Sequence, residues 1–228
     1  MEILKFSNDE VKEYVQLFYN KYCKDKKDII SLKDANVETL ALIAAKLAYR
    51  SSVTRAYALC NYSGNNYISD KEGSKIKCEQ ELISIYLISL YKNELINFEN
   101  ESLDMWKKIK QVYRDNGFTN YKIGHAQKWL SMSIKYYYIL LATYEIIEVN
   151  INNVFNGFFY FPVDGMVINH FKKKDWNIEF KDKCWTKCDN EEVFIEYLNS
   201  VKNHINMYNN PFIYELCVWW DLAAKKSA

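Results

Sequence analysis

A lysine near the start of a long apolar helix and an aspartate behind a proline are the two side chains whose types and spacing could do chemistry together. Lys128 lies in GHAQKWLSMSIKYYYILLATYEII, which reads as a long helix beginning near Gly124, and Asp164 lies in FFYFPVDGMVI, 36 residues further on. An amine is a nucleophile only when unprotonated, and both a desolvated setting and the dipole at a helix N-terminus favour the neutral amine. A buried carboxylate stabilises a transition state that builds positive charge, as a sugar does when its N-glycosidic bond breaks. Trp129, beside the lysine, would help to exclude water. Taken separately, each residue has a plainer reading: a lysine near a helix start is usually solvated, and Asp164 fits the N-cap of the helix GMVINHF.

Read together, the segments YKIGHAQKWLSM (121–132) and FFYFPVDGMVI (158–168) resemble the helix-hairpin-helix DNA glycosylase superfamily. The shared order is a glycine four residues before a lysine at a helix start, then an apolar-Pro-Val-Asp run opening another helix. The resemblance places Lys128 on the lysine nucleophile, Asp164 on the essential aspartate and Gly124 on the first hairpin glycine, while Ala126 stands where the second would be. The Lys-to-Asp spacing is closest to the archaeal-type 8-oxoguanine glycosylase/lyases. The resemblance implies an all-α helix-hairpin-helix glycosylase fold with a divergent hairpin, N-glycosylase and β-elimination lyase activity on an oxidised guanine such as 8-oxoguanine, and double-stranded DNA with a flipped damaged base as partner. No cofactor is expected: only Cys217 follows Cys188, so the iron-sulfur cysteines of some members have no counterpart.

A flipped base needs a pocket of aromatic and apolar side chains. The candidates are Trp129, Phe158, Phe159, Phe161, Trp219 and Trp220, although such residues in a helical domain are more often core. His125 and Gln127, just before the lysine, could touch phosphate or a base edge, or simply face solvent. Lys122, Lys172 and Lys173 are candidate DNA contacts on the basic flanks. From Glu101 to Lys135 seven basic residues, Lys107, Lys108, Lys110, Arg114, Lys122, Lys128 and Lys135, face three acids. From Gly165 to Lys187 six lysines face three acids, so positive charge brackets the middle segment as a phosphate footprint would, or as an ordinary solvated lysine face would.

The elements that must hold these residues are helices. Gly and Pro number only 6 and 2 in 228 residues, against usual frequencies of about 7% and 5%, which removes the punctuation that short strands and tight turns need. Helical periodicity runs through Val11, Val15, Phe18, Tyr19 and Tyr22, and VETLALIAAKLAY (37–49) has high helix propensity, with a further helical piece expected over 51–60 after a break. Helices are also predicted over about 75–94 and 103–114, the second stopped by Asn116-Gly117. Asp189 with Glu192 predicts a capped helix reaching about Met207, and Pro211 opens a last one. One domain over 1–228 follows, with two helical lobes and an intervening cleft as a variant of it.

Thirty Lys and Arg against 29 Asp and Glu exclude a chain that is polybasic throughout. The N-terminus lacks the form of a secretory signal and no apolar run is long enough for a bilayer, so a cytoplasmic, membrane-free monomer is expected. Six scattered cysteines suit a reducing compartment, and Cys184 with Cys188 reads as ordinary thiols rather than a metal site. Two other functions remain open: a helical module that binds nucleic acid or protein without catalysis, and a different enzyme built on the CxxxC with His170 or His204.

Overall fold

The structure is a computed structural model and describes residues 7–52, 71–95, 97–148, 161–163, 165–172, 178–182, 184–205 and 214–216. In chain order the helices are α1 (Asn8–Tyr22), α2 (Val37–Ser52), α3 (Lys71–Lys77), a π-helical segment (Cys78–Ile83), α4 (Ser84–Tyr91), α5 (Phe98–Asp115), α6 (Ile123–Thr143), α7 (Gly165–Lys172) and α8 (Glu191–Ile205). A short 3-10 turn, Leu32–Asp34, links α1 to α2. No strand occurs among the described residues, and none of their helices is long and apolar enough to cross a membrane.

Local chemistry sets most of the boundaries. Ser7 and Glu10 form a reciprocal capping box at α1. Asn36 accepts from the Thr39 amide at 2.8 Å to open α2, and Asn97 accepts from Asn100 to open α5. α5 therefore starts at Phe98, before the apolar periodicity becomes visible. Gly117 ends it with φ 86, a left-handed conformation that costs glycine nothing, and the Gly117 and Phe118 amides bond back to Arg114 and Tyr113. The helix expected from about Lys75 begins earlier, at Lys71, and stops at Tyr91, where Asn93 turns to φ 56. α2 runs without a break through Ser52, and the rest of the piece expected at 51–60 lies outside the described residues.

One correction concerns α8. Asn190, not Asp189, accepts from the Glu192 amide at 2.9 Å, so the cap sits one residue later than the Asp-x-x-Glu pattern indicates. Asp189 is held elsewhere, at the start of α6, by three cations.

α6 is the axis of the molecule. Every residue from Ile123 to Leu141 is buried except Lys128, so this helix is covered on all sides rather than along one stripe. α2, α5, α1 and α4 pack on it. The closest partner is α2, whose Ala41, Ala44, Ala45 and Ala48 are fully buried at i, i+3, i+4 and i+7. Four small side chains on one face let the two helices approach closely, and Trp129 of α6 donates its indole N–H to the Ala45 carbonyl at 3.0 Å. Ala-to-larger changes there would overpack a core that has no room to yield. The buried apolar side chains form one continuous cluster among the described residues.

Burial of α6 obliges its polar groups to find partners inside the protein. Ser133 donates to the Trp129 carbonyl and the Tyr137 hydroxyl to the Val37 carbonyl. Lys135, counted above on the basic flank, is fully buried and donates to Glu215 at 2.6 Å, so it is no part of a surface footprint.

Candidate active site

The start of α6 has no side-chain cap of its own in sequence. It is closed instead from a segment more than 60 residues later. Asp189 accepts from the Ile123 amide at 3.2 Å, and the Cys188 carbonyl accepts from the Gly124 amide at 3.4 Å. Within the turn, His125 Nδ1 accepts from the Lys122 amide at 3.1 Å. Burial pushes the His125 imidazole down to about 4, so it is neutral at ordinary pH, and an accepting Nδ1 places its proton on Nε2. Gly124 owes its identity to packing: a Cβ there would stand 2.0 Å from the Trp185 carbonyl oxygen and 2.9 Å from Cζ of Phe194.

Lys128 emerges from this braced end of α6, one turn in. Its ammonium lies 4.7 Å from the centre of the Trp185 ring, close enough for electrostatic attraction by the ring face. The indole beside the amine is thus that of Trp185; Trp129 points the other way, into the α2 contact, with Tyr49 edge-on at 5.0 Å.

Gln127 joins the two segments singled out in the sequence. Its Nε2 donates to the Phe161 carbonyl at 2.7 Å and to Ser131 at 3.1 Å, while its Oε1 accepts from the Val163 amide at 3.1 Å. A fully buried amide thereby pins the chain immediately ahead of position 164 against the residue next to Lys128. The other primary residue, Asp164, lies outside the described residues, as do Lys173, Trp220, Phe158, Phe159 and Trp219. Phe161 is buried, with its ring 5.9 Å from that of Phe171, and Lys172 is exposed at the end of α7. His125 and Gln127 are both buried, so neither faces solvent, and Gln127 has its amide engaged within the protein.

Much of the basic flank is paired. Lys107 meets Glu191 at 2.9 Å, and Asp189 gathers Lys110 at 2.8 Å, Arg114 at 2.9 Å and Lys122 at 3.7 Å. Hydrogen bonds and charges from these groups hold the Asp189 carboxyl below its ordinary value against a desolvation cost that alone would raise it. Three cations around one carboxylate still leave local positive charge at the N-terminal end of α6, where the helix dipole also favours an anion.

Trp185 carries no role in the sequence pattern, and Asp189 reads there only as a helix cap. Both sit in or beside CWTKCD (184–189), where attention went to the cysteines. Those thiols bond locally: Cys184 to the Thr186 hydroxyl at 3.0 Å and Cys188 to the Asn190 carbonyl at 3.4 Å. A tryptophan and an acid inside a short turn between helices were the available signal, since a lone aromatic there must cover something. Compared with known proteins, the chain matches no family model, no curated protein and no solved structure.

Proposed function

We propose that this chain is a DNA base-excision enzyme, an N-glycosylase with β-elimination lyase activity that forms a Schiff base through Lys128 and acts on an oxidised guanine such as 8-oxoguanine. The observation that carries the reading is the setting of Lys128. It is the one position between Ile123 and Leu141 with access to solvent, it stands on the most deeply buried of the described helices, and its neighbour Gln127 clamps residues 161–163, just ahead of position 164 in the sequence. A rigid helix inside a packed core holds a nucleophile more precisely than a loop can.

In the reaction, the unprotonated Lys128 Nζ attacks C1′ of the flipped nucleotide. The glycosidic C–N bond breaks, and the base leaves with the electron pair and takes up a proton. One amine proton passes to O4′ as the C1′–O4′ bond breaks and the sugar ring opens, giving the protonated Schiff base, from which removal of a C2′ proton and departure of the 3′ phosphate with the C3′–O bond electrons completes β-elimination. The carboxylate that steadies the positive charge at C1′ is assigned to Asp164 on the sequence alone. Lys110, Arg114 and Lys122, sharing the single carboxylate of Asp189, supply positive charge for the DNA backbone.

The test is base release from duplexes carrying 8-oxoguanine or no lesion, with the wild type, Lys128→Gln and Asp164→Asn. Lesion-dependent release that both substitutions abolish, with circular dichroism unchanged, is the expected result. Release unaffected by Lys128→Gln would overturn the reading.

The pairing of Lys107 with Glu191 and of three cations with Asp189 favours a second reading, a helical module that binds a protein partner without chemistry, because paired cations release fewer counterions from DNA. It predicts unchanged binding in Lys128→Gln and no base release from any substrate.

A further inference from the structure

A cleft of about 430 Å³ opens between α2, the α1–α2 connection and the junction of α3 with the π-helical segment. Its volume is within the range of about 300–1,000 Å³ common for small-molecule sites. Four cations line it, Lys27, Lys46, Arg50 and Lys75, against three acids, Asp28, Glu72 and Glu79. Arg50 is paired with Asp28 at 3.3 Å and Lys75 with Glu72 at 2.7 Å. Lys27 and Lys46 make no ion pair within 4.0 Å among the described residues, and the described lining has one more cation than acid.

Glu79 is the unusual member. It is 2% exposed, it belongs to the cleft lining, and its Oε1 has no hydrogen-bond partner among the described residues, the nearest cation being Lys75 at 4.0 Å. A buried carboxyl oxygen without a donor is costly unless a ligand supplies one. The backbone that places it is also unusual. Over Cys78–Ile83 the helix widens to i+5 bonding, with Cys78, Glu79 and Ile83 buried; such insertions are frequent at functional sites. Burial pushes the Glu79 carboxyl up to about 7, so near neutral pH it is partly uncharged and repels an anion less than an ordinary glutamate would.

We propose that this cleft binds a phosphomonoester, with the phosphate held by Lys27, Lys46 and Arg50 and a hydroxyl of the ligand body donating to Oε1 of Glu79. Lysines act on phosphate as point charges and arginine as a planar fork, so a mixed set at an open mouth suits a terminal phosphate with several free oxygens. The same chemistry is presented by a small sugar phosphate and by the 5′-phosphate end of a nucleic acid strand. The site is independent of the reaction assigned to Lys128 and stands or falls separately.

The experiment is calorimetric titration of the full chain with ribose 5-phosphate, inorganic phosphate, and one short oligonucleotide with either a 5′-phosphate or a 5′-hydroxyl. Saturable binding of ribose 5-phosphate is expected, weakened about tenfold or more by Lys46→Ala and by Lys27→Ala. Glu79→Leu should erase the preference for ribose 5-phosphate over inorganic phosphate while leaving the latter's binding intact. Preference for the 5′-phosphorylated over the 5′-hydroxyl oligonucleotide, stronger than ribose 5-phosphate itself, would identify a strand end as the source; the reverse order would identify a free sugar phosphate. Absence of saturation by every phosphate probe at about 10 mM, or affinities unchanged in both lysine variants, would overturn the proposal.

Discussion

Replacing Gly124 by alanine puts a Cβ 2.0 Å from the Trp185 carbonyl oxygen and 2.9 Å from Phe194 Cζ. The backbone carbonyl is not the loose end of a side chain, so relief requires α6 and the 184–190 segment to part by roughly 1 Å or more in a close-packed interior. Overpacking of this kind costs about 1–3 kcal/mol. The separation also stretches the Gly124 bond to Cys188 and the Asp189 cap on Ile123, which at about 1 kcal/mol each bring the expected loss to about 3–5 kcal/mol. Gly165 is the internal control, because nothing lies within 4 Å of a Cβ there and alanine should be neutral or stabilising by up to about 1 kcal/mol. Urea unfolding followed by far-ultraviolet circular dichroism measures both. A Gly124→Ala midpoint within about 0.5 kcal/mol of wild type would refute the claim that this glycine is fixed by close approach of the Trp185 turn.

The buried Lys135–Glu215 pair gives a second test: Lys135→Met strands a carboxylate and should cost about 3–5 kcal/mol in thermal unfolding, most of it recovered in Lys135→Met/Glu215→Leu. Gln127→Ala removes the tie to Phe161 and Val163 and should destabilise by about 2–4 kcal/mol, with faster amide exchange at Val163; unchanged exchange would contradict the clamp. The pH dependence follows from two buried groups of opposite sign. Glu79 has its folded pKa raised from 4.5 to about 7 by burial, so its contribution is fully present below pH 4.5 and is lost as pH rises through 7, a change of about 3 kcal/mol. His125 has its folded pKa lowered from 6.5 to about 4, so its contribution is present above pH 6.5 and is lost as pH falls through 4. The two offset each other between about pH 4.5 and 6.5. Glu79→Gln should therefore exceed wild type in stability at pH 8, match it near pH 4.5 and fall more steeply on acidification; a constant difference across that range would argue against a buried, titrating Glu79.

The helices were readable because their signals are local. The apolar spacing of Val11, Val15, Phe18 and Tyr22 and the Asn116-Gly117 stop act over three or four residues, and the alanine-rich run at 41–48 announces a helix whose face must pack tightly. The burial of α6 was half legible: GHAQKWLSMSIKYYYILL is apolar enough to be core, but only tertiary contact shows that Lys135 is matched by Glu215, a residue 80 positions away. Asp189 was misread for the same reason. Its spacing to Glu192 satisfies a capping rule, yet three cations and the Ile123 amide compete for it more strongly than the start of its own helix does. The π-helical segment left no trace in composition, since CEQELI has the same propensities in either geometry. The 121–132 and 158–168 segments are paired in the sequence only by the order of their motifs; what joins position 127 to residues 161–163 is the two-sided amide of Gln127.

The most direct test of the proposed chemistry is borohydride reduction of the protein mixed with duplex containing an abasic site, followed by peptide mapping of any covalent adduct. Attack by the amine at the braced end of α6 predicts a reduced adduct on the peptide containing Lys128, absent in Lys128→Gln and still formed by Lys122→Gln. An adduct mapped to another lysine, or none from protein shown to be folded, would contradict the assignment of Lys128 as the nucleophile.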